Sequence, residues 1–126
     1  MHLLLYPKRH ICVCGIALSS SMRTHKQLAH WYHQLAQHLD AGISLPEAMA
    51  FTEGPPTAGR MALKADLESG LPIDACLQRA PKWLPHEDRI FIASAAETGC
   101  LPQTFENLSE RHTRIAKTQT KVIFSL

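Results

Sequence analysis

Between Thr24 and Asp40, the apolar residues Leu28, Trp31, Tyr32, Leu35 and Leu39 recur at spacings of one to four, with Lys26, His30, Gln34, Gln37 and His38 between them. That pattern predicts a helix with one packed and one solvated face, and Ala41-Gly42 supplies its stop. Ser44-Leu45-Pro46-Glu47 then has the form of a capping box, in which the serine hydroxyl accepts from the amide three residues on and the glutamate reaches back. A short helix is expected from Leu45 to Thr52, burying Leu45, Ala48 and Met49, before Gly54-Pro55-Pro56 ends it. Thr57 to Ser69 reads as a third helix with Ala58, Met61, Ala62 and Ala65 on its packed face, stopped by Gly70. Pro72 opens a fourth helix, with Ile73, Cys76 and Leu77 as its buried candidates, that ends near Ala80 because Pro81 disfavours helical geometry before it.

Pro81-Lys82-Trp83-Leu84-Pro85 is a stiff connector whose Trp83 is large enough to plug the bundle. His86 to Thr98 is predicted as a fifth helix, with Glu87 and Asp88 in a first turn where the helix dipole favours them. Its Ala93, Ser94, Ala95 and Ala96 are small on every side, which predicts a central position with close neighbours. After Gly99 a last helix starts near Pro102, with Phe105, Leu108 and Ile115 along one stripe and Arg111, Arg114, Lys117 and Lys121 elsewhere. Two glycine stops followed by short helices, at Gly42 to Met49 and Gly70 to Leu77, echo one another. The expected fold is all-α, a six-helix bundle of antiparallel helices joined by short loops.

Length and composition agree with one such domain. The 126 residues suffice for a single core, and 45% hydrophobic with only 6% aromatic means a core made mainly of aliphatic side chains. Thirteen Lys plus Arg against eleven Asp plus Glu is too even a balance to point to nucleic acid. Of the four cysteines, Cys12 and Cys14 form a C-x-C with no second pair at zinc spacing, and Cys76 and Cys100 read as small buried apolar residues. Residues 1–22 are expected to be a loosely packed leader, since Lys8, Arg9 and His10 lie between two short apolar stretches and imitate an export signal poorly. The apolar tail 122–126 after the basic stretch is either the start of a membrane helix or a last turn packed on the bundle.

Leu28-Ala29-His30-Trp31-Tyr32-His33-Gln34-Leu35-Ala36, followed by Leu39-Asp40-Ala41-Gly42-Ile43-Ser44-Leu45-Pro46-Glu47-Ala48-Met49, resembles the opening of the type II secretion F domain. Later elements occur in the same order: Gly70 with Leu71 to Leu77, Pro81-x-Trp83-x-Pro85, and Glu97-Thr98-Gly99-Cys100-Leu101. The positions that carry the likeness are Trp31, Leu35, Gly42, Ser44, Glu47, Gly70, Trp83, Pro85, Gly99 and Leu101, within a domain spanning 23–121. The resemblance implies a cytoplasmic bundle at the bacterial inner membrane, part of a platform for type II secretion or type IV pilus assembly. It implies the assembly ATPase and other inner-membrane secretion or pilus proteins as partners, and membrane attachment through helices beyond residue 126; a homodimer is a separate, open alternative. It implies neither cofactor nor nucleic acid.

Candidate chemistry is sparse. Glu97 lies near a helix C-terminus, an unfavourable place for a carboxylate, so a neighbouring arginine or backbone amide is expected to compensate it. Together with Arg111, Arg114 and Lys117 it is the candidate for partner binding. His30 and His33, with His38 further on, could in principle hold a surface metal, but solvated histidines are the simpler reading. No nucleophile motif or phosphate loop occurs, so no catalytic residue is assigned. Two other classes compete: a helix-turn-helix DNA binder using the late basic residues, and a small enzyme pairing Glu97 with His86 or His112.

Overall fold

The computed structural model describes residues 24–79 and 83–125, with side chains described through residue 119. Expectations for the leader, for Cys12 and Cys14, for Lys121 and for the side chains of 122–126 lie outside the described residues. Six helices occupy the rest: α1 (24–40), α2 (Leu45–Phe51), α3 (Thr57–Glu68), α4 (Ile73–Gln78), α5 (His86–Thr98) and α6 (Leu101–Ser125). No strand occurs among the described residues.

The predicted apolar stripe of α1 is the centre of the core. Leu28, Trp31, Tyr32, Leu35 and Ala36 are almost inaccessible and join Ala48 and Met49 of α2, Leu63 of α3, Cys76 and Leu77 of α4, Ile92 of α5, and Phe105 and Leu108 of α6. Contacts between α1 and α6 descend in register, from His25 with His112, through Ala29 with Ser109, to His33 with Glu106, so these two helices run antiparallel. The α5–α6 pair is also antiparallel, turning at Gly99 and Cys100 with Glu87 opposite Arg111 and Asp88 opposite His112. Gly99 makes that turn with φ 76°, a left-handed geometry that a side chain would disfavour. The Gly99 and Cys100 amides both return to the Ala95 carbonyl.

Four local expectations are overturned. Ser44 sits at the start of α2 but makes no capping hydrogen bond, so the capping box does not form. Pro46 removes one of the amides such a serine normally serves, and the exposed hydroxyl is left to water. On α3 the alanine face is not the packed one: Ala58, Ala62 and Ala65 are exposed, whereas Arg60 and Leu63 are buried and Leu67 packs against the core. Leucines bury more apolar area than alanines, and they decide the rotation of the helix. The fifth helix is not central, since only Asp88, Ile92 and Ala95 are buried while Ile90 and Phe91 remain 54% and 51% exposed. Cys100 is exposed at the α5–α6 turn, unlike Cys76, whose thiol is pushed up from its ordinary pKa chiefly by burial.

Trp83 takes its predicted place. Its ring meets Trp31 edge-on, centroids 5.5 Å apart at 66°, and lies directly against Gly59 of α3. A Cβ at Gly59 would stand 2.2 Å from the indole nitrogen, so glycine is required there by the close approach.

Candidate functional site

The sharpest polar feature of the interior joins three helices. Tyr32 on α1 donates to Asp88 Oδ2 on α5 at 2.8 Å, and His112 Nε2 on α6 lies 2.6 Å from the same oxygen. The other nitrogen of that ring, Nδ1, is 2.7 Å from Nδ1 of His25 at the start of α1. One set of neutral tautomers satisfies every contact: His25 Nδ1–H donates to His112, and His112 Nε2–H donates to Asp88. Asp88 and His112 are 1% and 2% exposed, so the carboxylate is shielded from solvent and depends on these two donors. Its seat in the first turn of α5 adds the positive end of that helix dipole.

Tyr32 packs its ring against Phe105 and is held in its protonated form, its pKa pushed well up by burial first and then by the charge and hydrogen bond of Asp88. His25 stacks on His112 with centroids 5.0 Å apart and is depressed from its ordinary pKa of 6.5, chiefly by burial and then by the His112 ring. The chain of groups ends at His25, the half-buried member, and none of the four lines the trough between α1 and α6 described below. Its evident work is to fix α1, α5 and α6 at mutually correct heights.

A second polar device fixes the loop after α2. The buried Arg60 of α3 donates through Nε to the Pro55 carbonyl at 2.8 Å and through its terminal nitrogens to the carbonyls of Met49 and Thr52 and to the Thr57 hydroxyl. Trp31 Nε1 donates to Thr52 Oγ1 at 3.0 Å, tying the same loop to α1. A guanidinium thereby satisfies carbonyls that the end of α2 leaves open.

The outer surface of α1 and α6 forms a trough of about 770 Å³. From α1 it is lined by Lys26, Ala29, His30 and His33; from α6 by Ser109, Thr113, Ala116 and Lys117. The Ser109 hydroxyl donates to the Ala29 carbonyl at 2.7 Å, which binds the helices closely at the floor. His33 reaches across to Glu106 at 3.1 Å in an exposed pair.

The four candidate partner-binding residues are not brought together. Arg111 leans toward α5 and pairs with Glu87, a hydrogen bond that also raises its pKa. Lys117 faces α1 across the trough, and Arg114 is exposed between them. Glu97 is exposed in the last turn of α5 and has no ion pair or side-chain hydrogen bond among the described residues. Among the described residues no arginine or amide meets it, and solvent screens the exposed carboxylate. His30 bonds Gln34 and His38 the Gln34 carbonyl, so the surface histidines are engaged singly. No group of three His, Cys, Asp or Glu able to hold a metal occurs among the described residues. His112 is engaged by Asp88 rather than Glu97. Sequence reasoning passes over Tyr32, Asp88 and Arg60 as polar core; the available signal is position, since His112 lies four residues after Leu108 on the apolar stripe.

Residues 31–126 match the family model described as type II secretion system (T2SS), protein F. No curated protein matches the chain.

Proposed function

Because the chain belongs to the type II secretion system protein F family, components of the secretion and type IV pilus machinery at the bacterial inner membrane, we propose that it is a docking module of that platform. It binds the assembly ATPase and other inner-membrane components from the cytoplasmic face, and does so without chemistry of its own. The observation that carries this reading is the family match over residues 31–126. Three features of the surface support it: the exposed Ile90 and Phe91 on α5, the trough between α1 and α6, and the basic side chains Arg114 and Lys117. Partner contacts fall to Arg114, Lys117 and Glu97, with Arg111 restrained by Glu87. A second copy of the chain is a further candidate partner, through the apolar face of α5. Residues 122–125 continue α6, and in this reading they lead to a membrane attachment; no helix among the described residues is itself long and apolar enough to cross a membrane.

The test is quantitative co-purification from detergent-solubilised inner membranes of a bacterium that runs such a machine, with the tagged chain as bait and an unrelated tagged helical bundle as control. The assembly ATPase and platform proteins should be enriched at least tenfold over the control. Equal recovery from both baits contradicts the assignment.

A further inference from the structure

We propose that the trough between α1 and α6 seats an acidic amphipathic helix of a partner protein. The inference rests on the docking reading above and names the chemistry of one partner segment. Lys26, His30 and His33 step along one wall at intervals of four and three, and Ser109, Thr113 and Lys117 along the other at intervals of four. At 1.5 Å per residue each wall runs for roughly 11–12 Å, and the register of the two helices staggers them, so that they overlap around Ala29 and Ser109 and Lys117 stands about 8 Å further along than Lys26. The floor is made of methyl groups from Ala29 and Ala116, and its one hydroxyl at the base, Ser109 Oγ, is spent on the Ala29 carbonyl.

Charge decides what fits. Lys26 and Lys117 stand on opposite walls, and neither has an ion pair among the described residues, while the one carboxylate nearby, Glu106, hydrogen-bonds His33 at the far end of the α1 wall. Two unpaired ammonium groups along one concavity favour an anionic occupant that is long enough to meet both. A lone phosphate or lipid headgroup needs several converging donors, which this floor does not offer. A helix supplies both halves of the match: apolar side chains at helical spacing lie on the alanine floor, and carboxylates flanking them meet the lysines.

The experiment places the photo-reactive residue p-benzoylphenylalanine at Thr113 in the full chain, expressed in a bacterium carrying the machine, and sequences the adduct by mass spectrometry. Glu68, exposed on α3 and outside the lining of the trough, serves as the control position. The expected adduct is a partner segment with at least two carboxylates at helical spacing around apolar residues. Its yield falls tenfold or more in the exposed double variant Lys26→Glu/Lys117→Glu, and returns when the partner's carboxylates are changed to lysine. A lipid adduct, a segment without carboxylates, no adduct specific to Thr113, or a yield indifferent to charge reversal overturns the proposal. Should any of these occur while the tagged chain still co-purifies with the platform, the trough assignment falls and the docking function stands.

Discussion

Tyr32 and Asp88, 56 residues apart in sequence, are joined by a 2.8 Å hydrogen bond in which the α1 phenol donates to the α5 carboxylate. His112 of α6 bonds the same oxygen, so a single buried anion holds three helices. Its energetic weight is asymmetric: removing one donor loses one hydrogen bond, whereas removing the acceptor strands two.

Tyr32→Phe should therefore cost about 1 kcal/mol, and Asp88→Ala about 2–4 kcal/mol, because the second change leaves both Tyr32 and His112 without their partner. Urea unfolding monitored by circular dichroism measures both. Equal losses in the two variants would mean that Asp88 is not the hub.

Stability should also depend on pH in two separate windows. The folded pKa of His25 lies below its ordinary 6.5, so between those values the unfolded chain binds more protons. The stabilising contribution is complete above about pH 6.5 and is lost as the pH falls below it. The half-buried ring makes this dependence shallow. Tyr32 has the opposite sign: its folded pKa is raised well above 10.0, so its contribution is complete below about pH 10 and is lost as the pH rises further. Urea midpoints should rise from about pH 5 to pH 7, and His25→Asn should flatten that rise. An unchanged slope in the variant would exclude His25 as its source.

Arg60→Ala should destabilise the chain by about 2–3 kcal/mol, since the Met49, Thr52 and Pro55 carbonyls lose a charged donor. Arg60→Lys should recover little of that loss, because an ammonium cannot reproduce the fan of guanidinium donors. Thermal unfolding of the two variants checks this, and full recovery by lysine would show that charge alone matters.

Gly59→Ala should displace Trp83. The added methyl would stand 2.2 Å from the indole nitrogen, and overpacking of this kind costs about 1–3 kcal/mol. Tryptophan fluorescence should shift toward the wavelength of a solvated indole; an unshifted spectrum with unaltered stability would contradict the contact.

Elements with strong local punctuation are legible in the amino-acid sequence. The bounds of α5 coincide with the expected His86 to Thr98, and the α1 stripe is the core, because glycine and proline stops and a dense apolar period leave few alternatives. Rotation about a helix axis is less legible where the apolar residues are small: alanine is tolerated on either face, so α3 turns its leucines inward and α5 exposes Ile90 and Phe91. The polar core is hidden for another reason. Asp88 in a first turn has a sufficient local explanation in the helix dipole, and only its distant partners Tyr32 and His112 reveal that it is buried. The partner-binding candidates share one helix or its neighbour in sequence, yet lie on different flanks of α6 and α5.

The central claim, that this bundle docks components of a secretion or pilus platform, is tested most directly by titrating the purified full chain against the purified assembly ATPase of its host's machine. Calorimetry should show saturable binding that weakens at least tenfold in Arg114→Glu/Lys117→Glu while circular dichroism stays unchanged. A titration without a saturable signal, or one indifferent to those two substitutions, would contradict the account.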